Sequence, residues 1–276
     1  MRLALIAGLI ALAALAIVMW HHARQRRRRA LNEPFPDEWR AYLEASLPLY
    51  RRMPRELRLA LEPRVRAFLA DVRFIGCNGL AVTDEMRLVI ALQACLLVSR
   101  RGAGAYGSLY SVLVYPDEFV VAERDEDEAG VVTEGERALS GQAMDTDRIV
   151  LSWRDVQETG GGDDAYNVVL HEFAHYLDHS VEGAISAAPG RRRRLADWHR
   201  VLEHEYEALC DAVERGHDTL IDPYGAEEPA EFFAVATETF FEQPRELEQH
   251  HPALYAALRG FYGLHPAGWQ AQLPRA

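Results

Sequence analysis

The sequence predicts an α+β fold, mostly helical with a small mixed sheet, preceded by one transmembrane helix. Three observations carry this expectation. Helical apolar periodicity fills both ends of the body, short β-branched runs occupy its middle, and an uncharged apolar stretch, Leu3 to Trp20, stands in front.

That stretch is 18 residues long, near the length that spans a bilayer. Arg24 and Arg26 to Arg29 follow at once, against only Arg2 and the α-amine on the other side. The positive-inside rule then puts the C-terminal flank in the cytoplasm, on a single-pass anchor in the inner membrane. Ala11 to Ala16 offer the small residues of a cleaved signal, but a signal carries its positive charge before the apolar core. Residues 1–30 are read as anchor and polybasic flank, and residues 31–36 as a Pro-containing linker.

The remaining chain is long and apolar enough for one sizeable domain, 49% of the 276 residues being hydrophobic. It is placed at 37–264, with a tail at 265–276. All 30 basic residues are Arg, and six of them lie in the first 30 positions, where no acid occurs. Residues 31–276 therefore set 24 Arg against 42 acidic groups, a formal charge of −18. Such a body is not expected to bind nucleic acid. Cys77, Cys95 and Cys210 form no CxxC pair, which excludes a disulfide framework or thiolate metal cluster and fits a reducing compartment. The run Arg191 to Arg194 reads as the solvated start of a helix.

Taken in order, helical patterns cover 37–50 and 55–70, and Val72 to Ile75 is a short strand. Asp84 to Arg100 is a buried helix, with Leu88, Val89, Ala91, Leu92, Cys95 and Leu96 inward; Gly102 to Gly107 then breaks the chain. Ser111 to Tyr115 and Arg148 to Trp153 are the clearest strands, with an acidic solvating loop, Glu123 to Glu128, between them. Arg148 to Trp153 is expected at a sheet edge, where an extended peptide can pair with it. Helices follow at 191–215, 228–242 and 244–260.

Between these halves lies His171-Glu172-Phe173-Ala174-His175, an HExxH motif flanked by Val168, Val169 and Leu170 on one side and Tyr176 and Leu177 on the other. Gly160 to Gly162 break the preceding element, Asp163 or Asp164 is suited to cap a helix, and nothing interrupts that helix from Ala165 to Asp178. Residues i and i+4 share a helix face, so both imidazoles can take corners of a zinc (Zn2+) tetrahedron. Glu172 would stand beside the open position and accept a proton from water. Buried in an apolar helix, these polar groups need partners, and a metal supplies them.

The third ligand is not given by the motif. In the longer pattern HExxHxxGxxH, Asp178 stands where Gly is required and Val181 where the last His is required. His199, His204 and His217 lie among charged residues. Glu231 and Glu238, seven apart on one face of the apolar segment Pro229 to Phe241, fit better, and spacing alone leaves either as the ligand.

His171 to Asp178, together with Asp222-Pro223-Tyr224 and Pro229 to Val235, resembles the Mlc titration factor A family of zinc peptidases. So do Leu151 to Val156 and Val114-Tyr115-Pro116 with Phe119-Val120-Val121. The resemblance covers most of residues 40–262. It implies a zincin-like metallopeptidase domain with a lethal-factor-type core, in which His171, His175 and Glu231 ligate zinc and Glu172 is the general base. Tyr224 would donate a hydrogen bond to the oxyanion. Glu231 is thereby selected over Glu238, which, with Asp178, is left to orient an imidazole.

The resemblance also implies aminopeptidase-like cleavage of a peptide or protein substrate. The alternative it offers is a binding protein that sequesters a transcriptional repressor, as relatives bind Mlc, with zinc structural. Two departures stand out. Some members carry an upstream histidine that occupies the fourth zinc position; the segment Gly130 to Gly135 has none, so either that latency is missing or Glu134 substitutes. The membrane segment is the second, since the better-known members are soluble.

Overall fold

The computed structural model describes residues 33–101, 106–117, 119–126, 132–139, 141–142, 147–159, 165–184 and 191–269, with isolated helical positions between 14 and 28. Among them no helix is long and apolar enough to cross a membrane. Most of Leu3 to Trp20 lies outside the described residues.

The body opens with α1 (Asp37–Ser46) and α2 (Pro48–Arg52), where a single helix was expected over 37–50. Leu47 separates them with an extended backbone, φ −122° and ψ 101°, because the Pro48 ring disfavours the helical region for the residue before it. The same effect divides the helix expected over 244–260. His251, ahead of Pro252, leaves the helix at φ −130° and ψ 60° and separates Pro244–His250 from Pro252–Tyr262.

Next come α3 (Arg55–Asp71), β1 (Arg73–Gly76) and α4 (Asp84–Leu97). Thr83 caps α4 by accepting from the Met86 amide at 3.3 Å. From Leu88 to Leu97 the helix is buried throughout, so it forms the centre of the body.

Five further strands follow: β2 (Ser111–Tyr115), β3 (Phe119–Glu126), β4 (Val132–Leu139), β5 (Gly141–Gln142) and β6 (Arg148–Ser152). The main sheet has the order β1-β2-β6-β5, the first three parallel and β5 antiparallel to β6. The sheet is thus small and mixed, as expected, but β6 is not its edge. Gly141 and Gln142 pair with Leu151 and Val150, covering the side proposed for a peptide. The acidic segment is also corrected: Glu123 to Glu126 continue β3, which pairs with β4 from Phe119↔Leu139 to Glu126↔Val132. The β-prone start Phe119-Val120-Val121 carries the ladder into the charged residues.

β6 passes directly into α5 (Trp153–Glu158), with Ser152 accepting from the Asp155 amide at 3.3 Å. The motif helix, α6, runs from Val168 to Ala184, starting later and ending further on than expected. Its cap is Asn167, whose Oδ1 accepts from the Leu170 amide at 3.1 Å. Asp163 and Asp164 lie outside the described residues.

The chain closes with α7 (Arg191–Glu214), a 3-10 turn at Pro223–Ala226, α8 (Pro229–Glu242), α9 (Pro244–His250) and α10 (Pro252–Tyr262). Gly263 ends α10 at φ 67°, in the left-handed region that glycine takes without strain.

α6 packs against β6, α4 and α8. Its back is held by rings: Phe173 contacts Phe68 and Tyr106 at centroid distances of 6.0 and 5.3 Å, and Tyr106 contacts Tyr176 at 5.5 Å. Two side chains outside the expected domain bounds are buried. Phe35 of the linker is buried edge-on to Trp39 at 5.3 Å, and Trp269 of the expected tail is buried in the core. Both are large apolar side chains whose burial outweighs the Pro-rich or terminal context around them.

Candidate metal centre

α6 presents His171 and His175 one turn apart towards α8, and Glu231, in the first turn of α8, meets them. His171 Nε2 and His175 Nε2 are 3.1 Å apart, and Glu231 Oε2 is 3.0 Å from the first and 3.3 Å from the second. One ligand atom from each residue lies within 4.8 Å of the others, and all three side chains are mostly buried. His199, His204 and His217 are exposed and belong to no such group among the described residues.

Glu238 stands two turns beyond Glu231 on the same face of α8. Its Oε1 accepts from His171 Nδ1 at 2.7 Å, and its Oε2 accepts from the backbone amide of Asn167. Burial pushes the Glu238 carboxyl upward, but with both oxygens accepting N–H donors it serves as a carboxylate. A proton of His171 is therefore held on Nδ1, and Nε2 is the ring atom that faces His175 and Glu231. Spacing could not separate Glu231 from Glu238. In the folded chain they differ plainly: Glu231 faces both Nε2 atoms, and Glu238 faces the opposite side of one ring.

Glu172 is almost wholly buried beside this cluster, and burial pushes its carboxyl up to about 8, with Glu231 and Glu238 adding to the rise and His171 opposing it. Burial works against charge on His171 as well, yet the carboxylates of Glu231 and Glu238 raise it to about 10. For Glu231, burial is outweighed by the two imidazoles, which hold its carboxyl well below the usual carboxylate range. The pocket is thus a focus of negative potential around two ring nitrogens.

Two oxygens in it, Glu172 Oε2 and Glu231 Oε2, are buried without a hydrogen-bond partner. For Glu231 this holds despite the short distances to two imidazole nitrogens. Buried, unsatisfied acceptors converging at one point fit a divalent cation, and two imidazoles with one carboxylate are a donor set suited to zinc.

Tyr224 reaches the same place from the 3-10 turn at Pro223–Ala226. Asp222 Oδ1 accepts from the Tyr224 amide at 2.8 Å, and the phenol ring, partly exposed, lies 6.0 Å from the His171 ring. Asp178, one turn beyond His175, acts electrostatically on the phenol of Tyr262, raising it together with burial. Glu134 lies in β4, and its side chain is outside the described residues. Sequence reasoning missed Asn167, although an Asn directly before an apolar helix is itself a capping signal.

Residues 21–263 match the model of the glucose-regulated metallo-peptidase M90 family. An uncharacterized protein of Synechocystis sp. is 40% identical over 250 residues, covering 89% of this chain and 90% of its own. The Mlc titration factor A of Pectobacterium atrosepticum is 36% identical over 233 residues, covering 83% and 87%, and that of Yersinia pestis 34% over 239 residues, covering 85% and 88%. With the HExxH helix facing Glu231 in the fold, and the match running over nearly the whole body, the chain belongs to the M90 metallopeptidase family, that of the Mlc titration factor A proteins.

Proposed function

We propose that this chain is a zinc-dependent peptidase of the aminopeptidase type, held at the inner membrane with its catalytic domain in the cytoplasm. The observation that carries the reading is the convergence of His171 Nε2, His175 Nε2 and Glu231 Oε2, with the unpartnered Glu172 Oε2 buried alongside. His171, His175 and Glu231 would hold the ion, and Glu238 would fix the His171 ring behind it. When bound, zinc would acidify a water molecule and polarise the scissile carbonyl. Glu172 takes the water's proton at its free carboxylate oxygen and later delivers it to the leaving amine. Burial suits this role, because a raised pKa brings a carboxylate nearer to the operating pH.

The Tyr224 phenol donates to the carbonyl oxygen as negative charge builds on it. Tyr224→Phe is expected to lower kcat/KM roughly ten- to a hundredfold, below the range for a fully enclosed donor because the ring is partly exposed. Steady-state cleavage of an unblocked peptide series measures this, and an N-acetylated series tests the aminopeptidase assignment. Equal rates on blocked and unblocked peptides would remove that assignment.

The membrane placement is supported by the apolar run Leu3 to Trp20 and the arginines after it. A reporter fused after Ala276 is expected to be active only when of the cytoplasmic type; activity of a periplasmic reporter would overturn the orientation.

A second reading, capture of a transcriptional regulator, is favoured by the relatives named for titration of Mlc. Capture that persists in the Glu172→Gln variant would support a binding role independent of peptide cleavage.

A further inference from the structure

We propose that Asn167 and Arg52 are positioning residues of the metal centre, joined to His171 by a buried hydrogen-bonded chain that sets the metal affinity of that imidazole. The inference rests on the metal-centre reading above and extends it to the N-terminal helices.

The chain begins in α2. The Arg52 guanidinium pairs with the Glu242 carboxylate and donates to the carbonyls of Phe241 and Glu242 at 3.0 and 2.8 Å. These are terminal carbonyls of α8 that lack helical partners, so Arg52 holds the end of the helix that carries Glu231 and Glu238. Glu242 is buried, and its other oxygen accepts from Asn167 Nδ2 at 2.7 Å. The same amide group donates to Gln93 Oε1 of α4 at 2.8 Å. Asn167 Oδ1 caps α6, and the Asn167 backbone amide donates to Glu238, which in turn accepts from His171 Nδ1.

Asn167 is fully buried, and every hydrogen-bonding group of its side chain is used. Its orientation is forced: reversing the amide would set its oxygen against the acceptor oxygens of Gln93 and Glu242 and its NH2 against the Leu170 amide. One residue therefore fixes the start of α6, the end of α8 and the carboxylate behind a ligand ring. Partners that orient metal-binding histidines in this way are commonly worth tenfold or more in affinity. Arg52 matters because without it Glu242 would be a buried carboxylate lacking its cation, free to swing away from Asn167.

Zn2+ affinity of the full-length chain, measured by competition with a chromophoric chelator, tests the proposal. Asn167→Asp keeps an oxygen to cap Leu170 and removes both donors; affinity is expected to fall roughly 10- to 100-fold. Arg52→Met is expected to weaken binding as well. Adding Glu242→Gln should recover most of that loss, because a neutral amide needs no counter-cation and still accepts from Asn167. Recovery of affinity in the double variant is a result that a merely structural role does not produce. Variants that bind Zn2+ as tightly as the wild type, with only their melting temperatures lowered, would overturn the inference alone. A wild-type chain that binds no Zn2+ would overturn the metal-centre reading and this inference together.

Discussion

Glu172→Gln is expected to lower kcat/KM by roughly 10²–10⁴-fold while leaving the metal content of the protein unchanged. The substitution is nearly isosteric at a position that is 3% exposed, so packing around it should hold. It removes the one function the free Oε2 supplies, because an amide oxygen does not accept a proton at neutral pH. His171, His175 and Glu231 keep their mutual distances, since Glu172 makes no hydrogen bond to any of them through that oxygen. A peptide-cleavage assay run beside metal analysis reads both halves of the expectation. Full activity with metal retained would exclude Glu172 as the base.

Phe240→Ala is expected to cost about 3–5 kcal/mol of folding stability, the usual range for truncating a fully buried aromatic. At roughly 2–4 °C per kcal/mol for a domain of this size, melting should fall by about 10 °C. Phe240 has no solvent exposure and contacts three rings: Phe241 at 5.0 Å, Tyr255 at 5.1 Å and Tyr262 at 5.7 Å. This cluster fixes α8 on α10, and the Thr237 hydroxyl lies 2.8 Å from that of Tyr262 within it. The helix that carries Glu231 is thus held by aromatic packing nine residues further along. Thermal unfolding followed by circular dichroism checks the magnitude, and a change under 1 kcal/mol would mean that neighbouring rings refill the space.

Much of this was legible in the sequence, and the reasons differ by element. Long amphipathic helices announce themselves over many residues, so α3, α4, α7 and α8 fell close to their expected bounds. The HExxH pair was readable because its geometry is local, set by one helical turn. β5 was not, since two residues, Gly141 and Gln142, are too few to show a period, and so β6 was taken for an edge. The breaks at Leu47 and His251 were readable in principle from the prolines that follow them. Arg52 and Glu242 lie 190 residues apart, and no local pattern connects them. Only the fold shows that a residue of α2 is linked through Glu242, Asn167 and Glu238 to the ring of His171.

The rings behind α6 bear on how an ion is captured. Rotating this helix about its own axis would pull Phe173 and Tyr176 from Phe68 and Tyr106, re-exposing apolar surface on the order of 150 Å² for each ring that left the cluster. That cost confines the two imidazoles to motions about their own side-chain bonds. Loading and release are then side-chain events on a fixed backbone. Backbone resonances of α6 away from the two rings should accordingly stay in place between chelated and Zn2+-loaded protein, while the imidazole resonances move.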